Sequence, residues 1–272
     1  MPLAVCATPI GNLEDVTLRV LAELREADVV LCEDTRHTGV LLDRYEIGGA
    51  GRLLSYHEHN EAARTQELLP RLALGERVAL VSDAGLPGVN DPGGRLVSAA
   101  LERGIAVTVL PGPSAVETAL VASGLAGDQY RFLGYLPRRE AERNALWDEL
   151  ARWPHPAVGF ESPKRLPASL RSLAAALPDR RVAVCRELTK RFEEVVRGTA
   201  PAVAATFTEP PKGEITLVID GAAPDAGRFA SLAAGIAAVQ ELVASGFPRR
   251  RAVEVVAALT GQPRNQLYDG SL

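Results

Sequence analysis

Four short turns in the first half of the chain gather the residue types that bind small polar ligands. They read Thr8-Pro9-Ile10-Gly11-Asn12, Glu33-Asp34-Thr35-Arg36-His37-Thr38, Ser82-Asp83-Ala84-Gly85-Leu86-Pro87 and Leu110-Pro111-Gly112-Pro113-Ser114-Ala115. Asp83 is an acceptor for amino or hydroxyl groups. Gly85 permits backbone torsions closed to other residues, and Ala84 leaves room for close approach. Ser114 opens a helix, where free amides attract negative charge. Both turns also read as plain strand-to-helix connections, with Ser114 serving only as a cap. The types together favour a small, nucleotide-like ligand.

Groups able to move protons or hold charge lie beside these turns and further along. Among 30 basic residues only Lys164, Lys190 and Lys212 are lysines. Lys loses its proton when desolvated, whereas Arg does not. Lys190 is therefore the first candidate for acid–base or charge-stabilising work. Its structural alternative is a phosphate contact, or an ion pair with Glu187, Glu193 or Glu194. His57 and His59, in Ser55-Tyr56-His57-Glu58-His59-Asn60, titrate nearest neutrality and are alternative bases or hydrogen-bonded loop residues. Arg36 can grip a phosphate while Asp34 fixes its orientation, or the two can simply pair within the loop. No cysteine or histidine spacing predicts a metal site.

The elements that position these residues follow from hydrophobic patterning. Leu3–Ala7, Val29–Cys32, Val78–Val81 and Ala106–Leu110 are short apolar runs, each ending at one of the four turns. Arg52–Tyr56 adds another strand. Helical spacing separates them: Val16–Leu24 with Asp15 as N-cap, a helix capped by Thr38, Glu61–Leu74, Pro92–Leu101, and a helix from Ser114 to about Ala122. Alternating strands and helices predict an α/β fold with a mostly parallel sheet. Ligands then bind outside the carboxyl ends of the strands, on the rim that the turns share.

A break at 125–156 holds a charged helix near Glu140–Leu150. Beyond it, Ala157–Phe160, Arg181–Cys185, Phe192–Thr199 and Glu214–Ile219 read as strands, with a helix near Pro167–Ala176, and predict a second α/β domain. Residues 222–228 read as a linker, followed by an Ala-rich helical tail carrying Arg249-Arg250-Arg251. The expected divisions are 1–124, 125–221 and 222–272. No GxGxxG loop follows the first strand, which argues against a Rossmann dinucleotide site.

Charge is uneven: residues 1–130 carry a net −8, 131–197 a net +5 and 198–272 a net −1. An acidic chain is not a nonspecific polyanion binder, but the basic middle can dock a phosphate backbone locally. Cys6, Cys32 and Cys185 are far apart in apolar runs, as expected of free buried thiols in a reducing cytoplasm. No apolar stretch approaches the ~20 residues of a membrane span, and no leader peptide is evident, so no membrane partner is expected.

Taken in order, the motifs resemble the tetrapyrrole-methylase superfamily of class III S-adenosylmethionine-dependent methyltransferases. Within it the chain is similar to the ribosomal RNA small-subunit methyltransferase I family. Besides the four turns and the Ser55–Asn60 phrase, the match rests on Asn90-Asp91-Pro92-Gly93, Glu161-Ser162-Pro163-Lys164-Arg165, Arg186-Glu187-Leu188-Thr189-Lys190 and Lys212-Gly213-Glu214. Leu86, Asn90 and Lys164 depart from the family's usual Thr, Ser and His. The resemblance implies two α/β domains with S-adenosylmethionine in the cleft between them, a small helical extension, and a homodimer. It implies 2′-O-methylation of a cytidine ribose in the decoding region of 16S rRNA, with rRNA or the small ribosomal subunit as partner. Carried over as cofactor-binding are Pro9, Ser82, Asp83, Ala84, Gly85, Leu86, Ser114, Ala115, Glu161 and Leu188. Lys190, His57 and Arg36 are then the candidates to activate the acceptor hydroxyl. Two other readings keep the cleft: methylation of a tetrapyrrole or other small molecule, and nucleotide sensing without catalysis. The low aromatic content, 5% of the chain, argues against a cleft for a flat macrocycle.

Overall fold

A computed structural model describes residues 2–222 and 232–272. The chain divides into two compact units, Met1–Trp147 with Pro156–Asp220, and Asp148–His155 with Gly221–Leu272. Apart from Ala222, the expected linker lies outside the described residues.

The first unit contains two five-stranded sheets. One is entirely parallel, with β1 (Leu3–Cys6), β2 (Val29–Cys32), β3 (Leu53–Ser55), β4 (Val78–Leu80) and β5 (Val107–Leu110) in the order β3-β2-β4-β1-β5. Side chains alternate along its strands, so each strand supplies two cores. Ala4, Cys6, Val30 and Cys32 pack with α1 (Leu18–Glu26) and α2 (Thr35–Arg44). Leu3, Val5, Val29 and Leu31 pack with α3 (Glu61–Ala73) and α4 (Gly94–Glu102). Helices thus cover both faces, which is why these strands read as continuous apolar runs.

Two expected caps move. Thr17, not Asp15, accepts the Val20 N–H at the start of α1, because Leu13–Asp15 forms a separate 3₁₀ turn capped by Asn12. Asp34 caps α2 by accepting the Arg36 N–H, which leaves Thr38 buried inside the helix.

The second sheet runs β6 (Arg131–Tyr135), β7 (Ala157–Glu161), β10 (Ile215–Ile219), β8 (Arg181–Arg186), β9 (Glu194–Thr199). Only β6 pairs parallel, with β7; the other pairings are antiparallel. β6 falls inside the segment read as a break, because Gly134 and Pro137 interrupt its pattern. α5 (Ala115–Ser123) follows β5 directly but buries Val116, Ala119 and Leu120 against Val158, Ala183, Cys185 and Val218 of this sheet. α6 (Glu140–Leu150), α7 (Leu166–Ala176) and α8 (Ala200–Thr206) complete this part of the chain, α8 packing on α7, β8 and β9.

The second unit contains α9 (Leu232–Ala244), α10 (Arg249–Thr260) and α11 (Arg264–Gly270), closed around Val239, Ala252, Val253, Val256 and Leu267. Gly261, in the left-handed conformation, ends α10. No helix among the described residues is long and apolar enough to cross a membrane.

Candidate active site

Because the first sheet is parallel, the four turns emerge on one rim, and they are joined there. Thr8 and Gly85 form an isolated antiparallel bridge, with N···O distances of 2.8 and 3.1 Å. Thr8 Oγ1 also donates to the Ser82 carbonyl at 3.0 Å. The Asp34 N–H donates to Asp83 Oδ1 at 3.2 Å. A Cβ at Gly112 would lie 2.9 Å from that of Ala7, so the fourth turn sits directly on the first. The first turn also reaches the second sheet's side. Asn12 N–H donates to Thr189 Oγ1 at 3.0 Å, and a Cβ at Gly11 would meet Lys190 Cγ at 2.5 Å.

Between the rim and the second sheet lies a cavity of about 1040 Å³. Ala84, Gly85, Leu86, Asp91 and Pro111–Ala115 line one wall, and Phe132, Tyr135, Phe160, Glu161, Leu188 and Glu214 the other. The ionisable groups on its surface are the carboxyls of Asp91, Glu117, Glu161 and Glu214 with the phenol groups of Tyr130 and Tyr135 and the Cys185 thiol; among the described residues no Lys, Arg or His lines it. The surface thus offers acceptors for a ligand's amino and hydroxyl groups.

Three of the carboxyls are engaged. Glu161 is buried, accepting from Ser169 Oγ at 2.5 Å and Ser162 N–H at 2.6 Å, and its oxygen lies 2.5 Å from the Arg165 guanidinium. Glu117 accepts from Tyr130 Oη at 2.5 Å and from Ser114 Oγ. Burial alone would raise the Glu117 pKa, but these two bonds outweigh it and hold it low. Glu214 meets Lys190 Nζ at 3.0 Å. Asp91, by contrast, accepts no hydrogen bond from any described residue, and its pKa is pushed up to about 7 by burial first, then by Glu33 and Asp83.

The chain matches the model of the Tetrapyrrole (Corrin/Porphyrin) Methylases over residues 2–204. It is 45% identical to ribosomal RNA small subunit methyltransferase I of Mycobacterium bovis, covering 99% of this chain and 94% of that one. The same-named protein of Synechocystis is 44% identical, over 99% and 97% of the two chains. The fold is shared with uroporphyrin-III C-methyl transferase of Thermus thermophilus complexed with S-adenosylhomocysteine, at a TM-score of 0.55 and 19% identity over 80% and 96% of the chains.

The chain belongs to the ribosomal RNA small subunit methyltransferase I family. This methyltransferase uses S-adenosylmethionine. The cleft offers carboxyl acceptors together with apolar and aromatic walls. Gly85 takes up φ +78°, and Gly112 lets the fourth turn close onto Ala7. The volume is at the upper end for a small-molecule site, typically ~300–1,000 Å³.

Of the residues expected around the cofactor, Ala84, Gly85, Leu86, Ser114, Ala115, Glu161 and Leu188 line the methyltransferase's cleft. Pro9, Ser82 and Asp83 stand behind its surface. Ser82 is buried and donates to the Ala84 and Gly85 carbonyls, while Asp83 receives the Asp34 N–H. Ser82 thus shapes its turn from within, and Asp83 ties it to the second turn. Ser114 occupies the cap position of α5 without capping it by its side chain, since its hydroxyl turns to Glu117 instead.

None of Lys190, His57 and Arg36 lines the cavity. Lys190 lies 3.0 Å from both Glu187 and Glu214. Burial would lower its pKa, but bonds to Glu214 and Glu187 and their charges raise it overall, so it is an ammonium and not a desolvated base. Glu193 and Glu194, the other expected partners, turn to Thr189 N–H and Arg186. His57 places Nε2 3.2 Å from Asn60 Nδ2 and leaves its buried Nδ1 without a partner, while His59 is exposed beside Glu58. Arg36 is 91% exposed and forks onto Asp34 at 3.1 and 2.7 Å. Hydrogen bonds from Arg36 hold the Asp34 carboxyl well below its ordinary range.

Sequence reasoning missed Asp91, Glu117 and the aromatic wall. Asp91 stood within a quoted phrase but had no role. Phe132 and Tyr135 lie on the overlooked β6, and both meet Phe160 edge-to-face at 5.2 and 5.6 Å. The chain's low overall aromatic content therefore does not describe its cleft.

Proposed function

We propose that this protein transfers a methyl group from S-adenosylmethionine to the ribose 2′-hydroxyl of a cytidine in the decoding region of 16S rRNA. It acts in the cytoplasm as a homodimer, with rRNA of the small ribosomal subunit as acceptor. The observation that carries this reading is near-full-length similarity to the ribosomal RNA small subunit methyltransferases I, joined to a cleft that carboxyl and aromatic side chains line.

S-adenosylmethionine supplies a methyl group on a positively charged sulfur. Carboxyl oxygens on the cleft surface favour that charge. No Lys, Arg or His among the described residues lines the cleft to receive a phosphate, so the acceptor enters as a nucleoside while its backbone stays at the rim. Arg36, exposed and forked onto Asp34, is the candidate to grip a phosphate there. Lys190 fixes the Glu187 and Glu214 side chains, the second of which lines the cleft.

Tritiated S-adenosylmethionine and small subunits from a strain lacking the enzyme provide the test. Label is expected in 16S rRNA, at one nucleotide whose linkage resists alkaline cleavage because its 2′-hydroxyl is blocked. Absence of label from rRNA, with methylation of a precorrin in parallel, would replace this reading by the small-molecule one.

A further inference from the structure

We propose that Asp91 is the general base that accepts the proton of the acceptor hydroxyl. The inference rests on the ribose-methylating reading above. It starts from the unequal state of the four cleft carboxyls. Glu117, Glu161 and Glu214 are each held by donors within the protein. Among the described residues nothing donates to Asp91, so its oxygens are available to a ligand. The groups first expected to act as base stand off the cleft, and Lys190 is held protonated.

The local backbone is built to present this residue. Gly88, Asn90 and Gly93 all have positive φ, at +84°, +63° and +136°. Asn90 is the only one of the three that pays a steric cost there, and such strained turns cluster at functional sites. A Cβ at Gly134 would lie 3.1 Å from Asn90 Oδ1, so the loop abuts β6 from the opposite wall. Asp91 therefore stands where the rim meets the aromatic strand, facing the common cavity.

The chemistry balances. An oxygen lone pair of the 2′-hydroxyl forms a bond to the methyl carbon as the carbon–sulfur bond breaks. The sulfur keeps that bond's electron pair and becomes a neutral thioether. The hydroxyl proton passes to Asp91 and later to solvent. A carboxyl raised to about 7 by burial, Glu33 and Asp83 is a stronger base than an ordinary carboxylate, yet is largely ionised just above neutrality. Glu33 and Asp83 are the charged groups that act on it.

The test compares wild type, Asp91→Asn and Glu33→Gln on small subunits at saturating S-adenosylmethionine, with cofactor affinity measured by calorimetry. At saturating cofactor, Asp91→Asn is expected to lower kcat by about 100-fold or more, a loss well beyond any weakening of the cofactor Kd. In wild type, kcat is expected to rise with pH through about 7. Glu33→Gln, which removes a like charge, moves that limb to lower pH and keeps the plateau. An Asp91→Asn variant within fivefold of wild type, or one whose kcat loss is matched by loss of cofactor binding, overturns the assignment. So does an unmoved limb in Glu33→Gln. Wild type that leaves subunits unlabelled overturns the ribose reading and this base with it; labelled wild type and an equally fast Asp91→Asn overturn the base alone.

Discussion

Asp91→Asn should stabilise the fold even as it removes activity. The folded protein holds this carboxyl at about 7, against an ordinary 3.8. At the lowest pH both folded and unfolded chains keep the proton, and the residue is neutral to stability. As pH rises past 3.8 the unfolded chain releases its proton first, so stability falls until the folded carboxyl also ionises near 7. Above that the penalty is complete. The full difference corresponds to about 4 kcal/mol as an upper bound, and partial solvent access to the half-buried side chain reduces it to about 2 kcal/mol. Asn keeps the shape and cannot ionise. Urea denaturation of the cofactor-free protein should therefore show Asp91→Asn more stable by about 2 kcal/mol near pH 8 and by roughly a third of that near pH 5. A gain independent of pH would trace to packing, and a loss of stability would show that Asp91 is an engaged carboxylate. Either result would refute the electrostatic reasoning.

Arg165→Met leaves the buried Glu161 carboxylate with only its Ser169 and Ser162 bonds, and should cost about 3 kcal/mol in urea denaturation. Adding Glu161→Gln should restore most of that loss, and a double variant no better than Arg165→Met would contradict the pairing. Gly11→Ala drives a methyl against Lys190 Cγ and the Leu188 carbonyl; about 1–3 kcal/mol should be lost and cofactor affinity weakened, because Leu188 lines the cleft. Ellman's reagent near neutral pH should find no reactive thiol in the native protein and three after denaturation, since all three cysteines are buried and burial pushes Cys6 up to about 12 and Cys185 up to about 11. Rapid labelling of the native protein would show that one of them is open.

Local signals made the first sheet legible. Its three central strands, β1, β2 and β4, are buried on both faces, so each reads as an apolar run ending in a turn whose composition marks the carboxyl rim. The second sheet was harder to read. β6 is short, only partly buried and interrupted by Gly134, so its alternation carries little signal. The helix caps slipped by a few residues for a similar reason, since Asp15, Thr17, Asp34 and Thr38 are all competent caps and only the observed hydrogen bonds choose among them.

The alternation of strands and helices, the four turns and the family were legible along the chain, because these depend on neighbouring residues. The sequence also placed Ala84, Gly85, Leu86, Ser114, Ala115, Glu161 and Leu188 among residues that prove to share one cavity. It could not rank the titratable groups. Whether Lys190 is a base or an ammonium depends on Glu187 and Glu214, the second of them 24 residues away. Whether Asp91 is an ordinary carboxylate depends on Glu33 and Asp83, brought beside it by adjacent parallel strands. Proton affinity is set by charge, burial and hydrogen bonds in three dimensions, and only the tertiary structure supplies those distances.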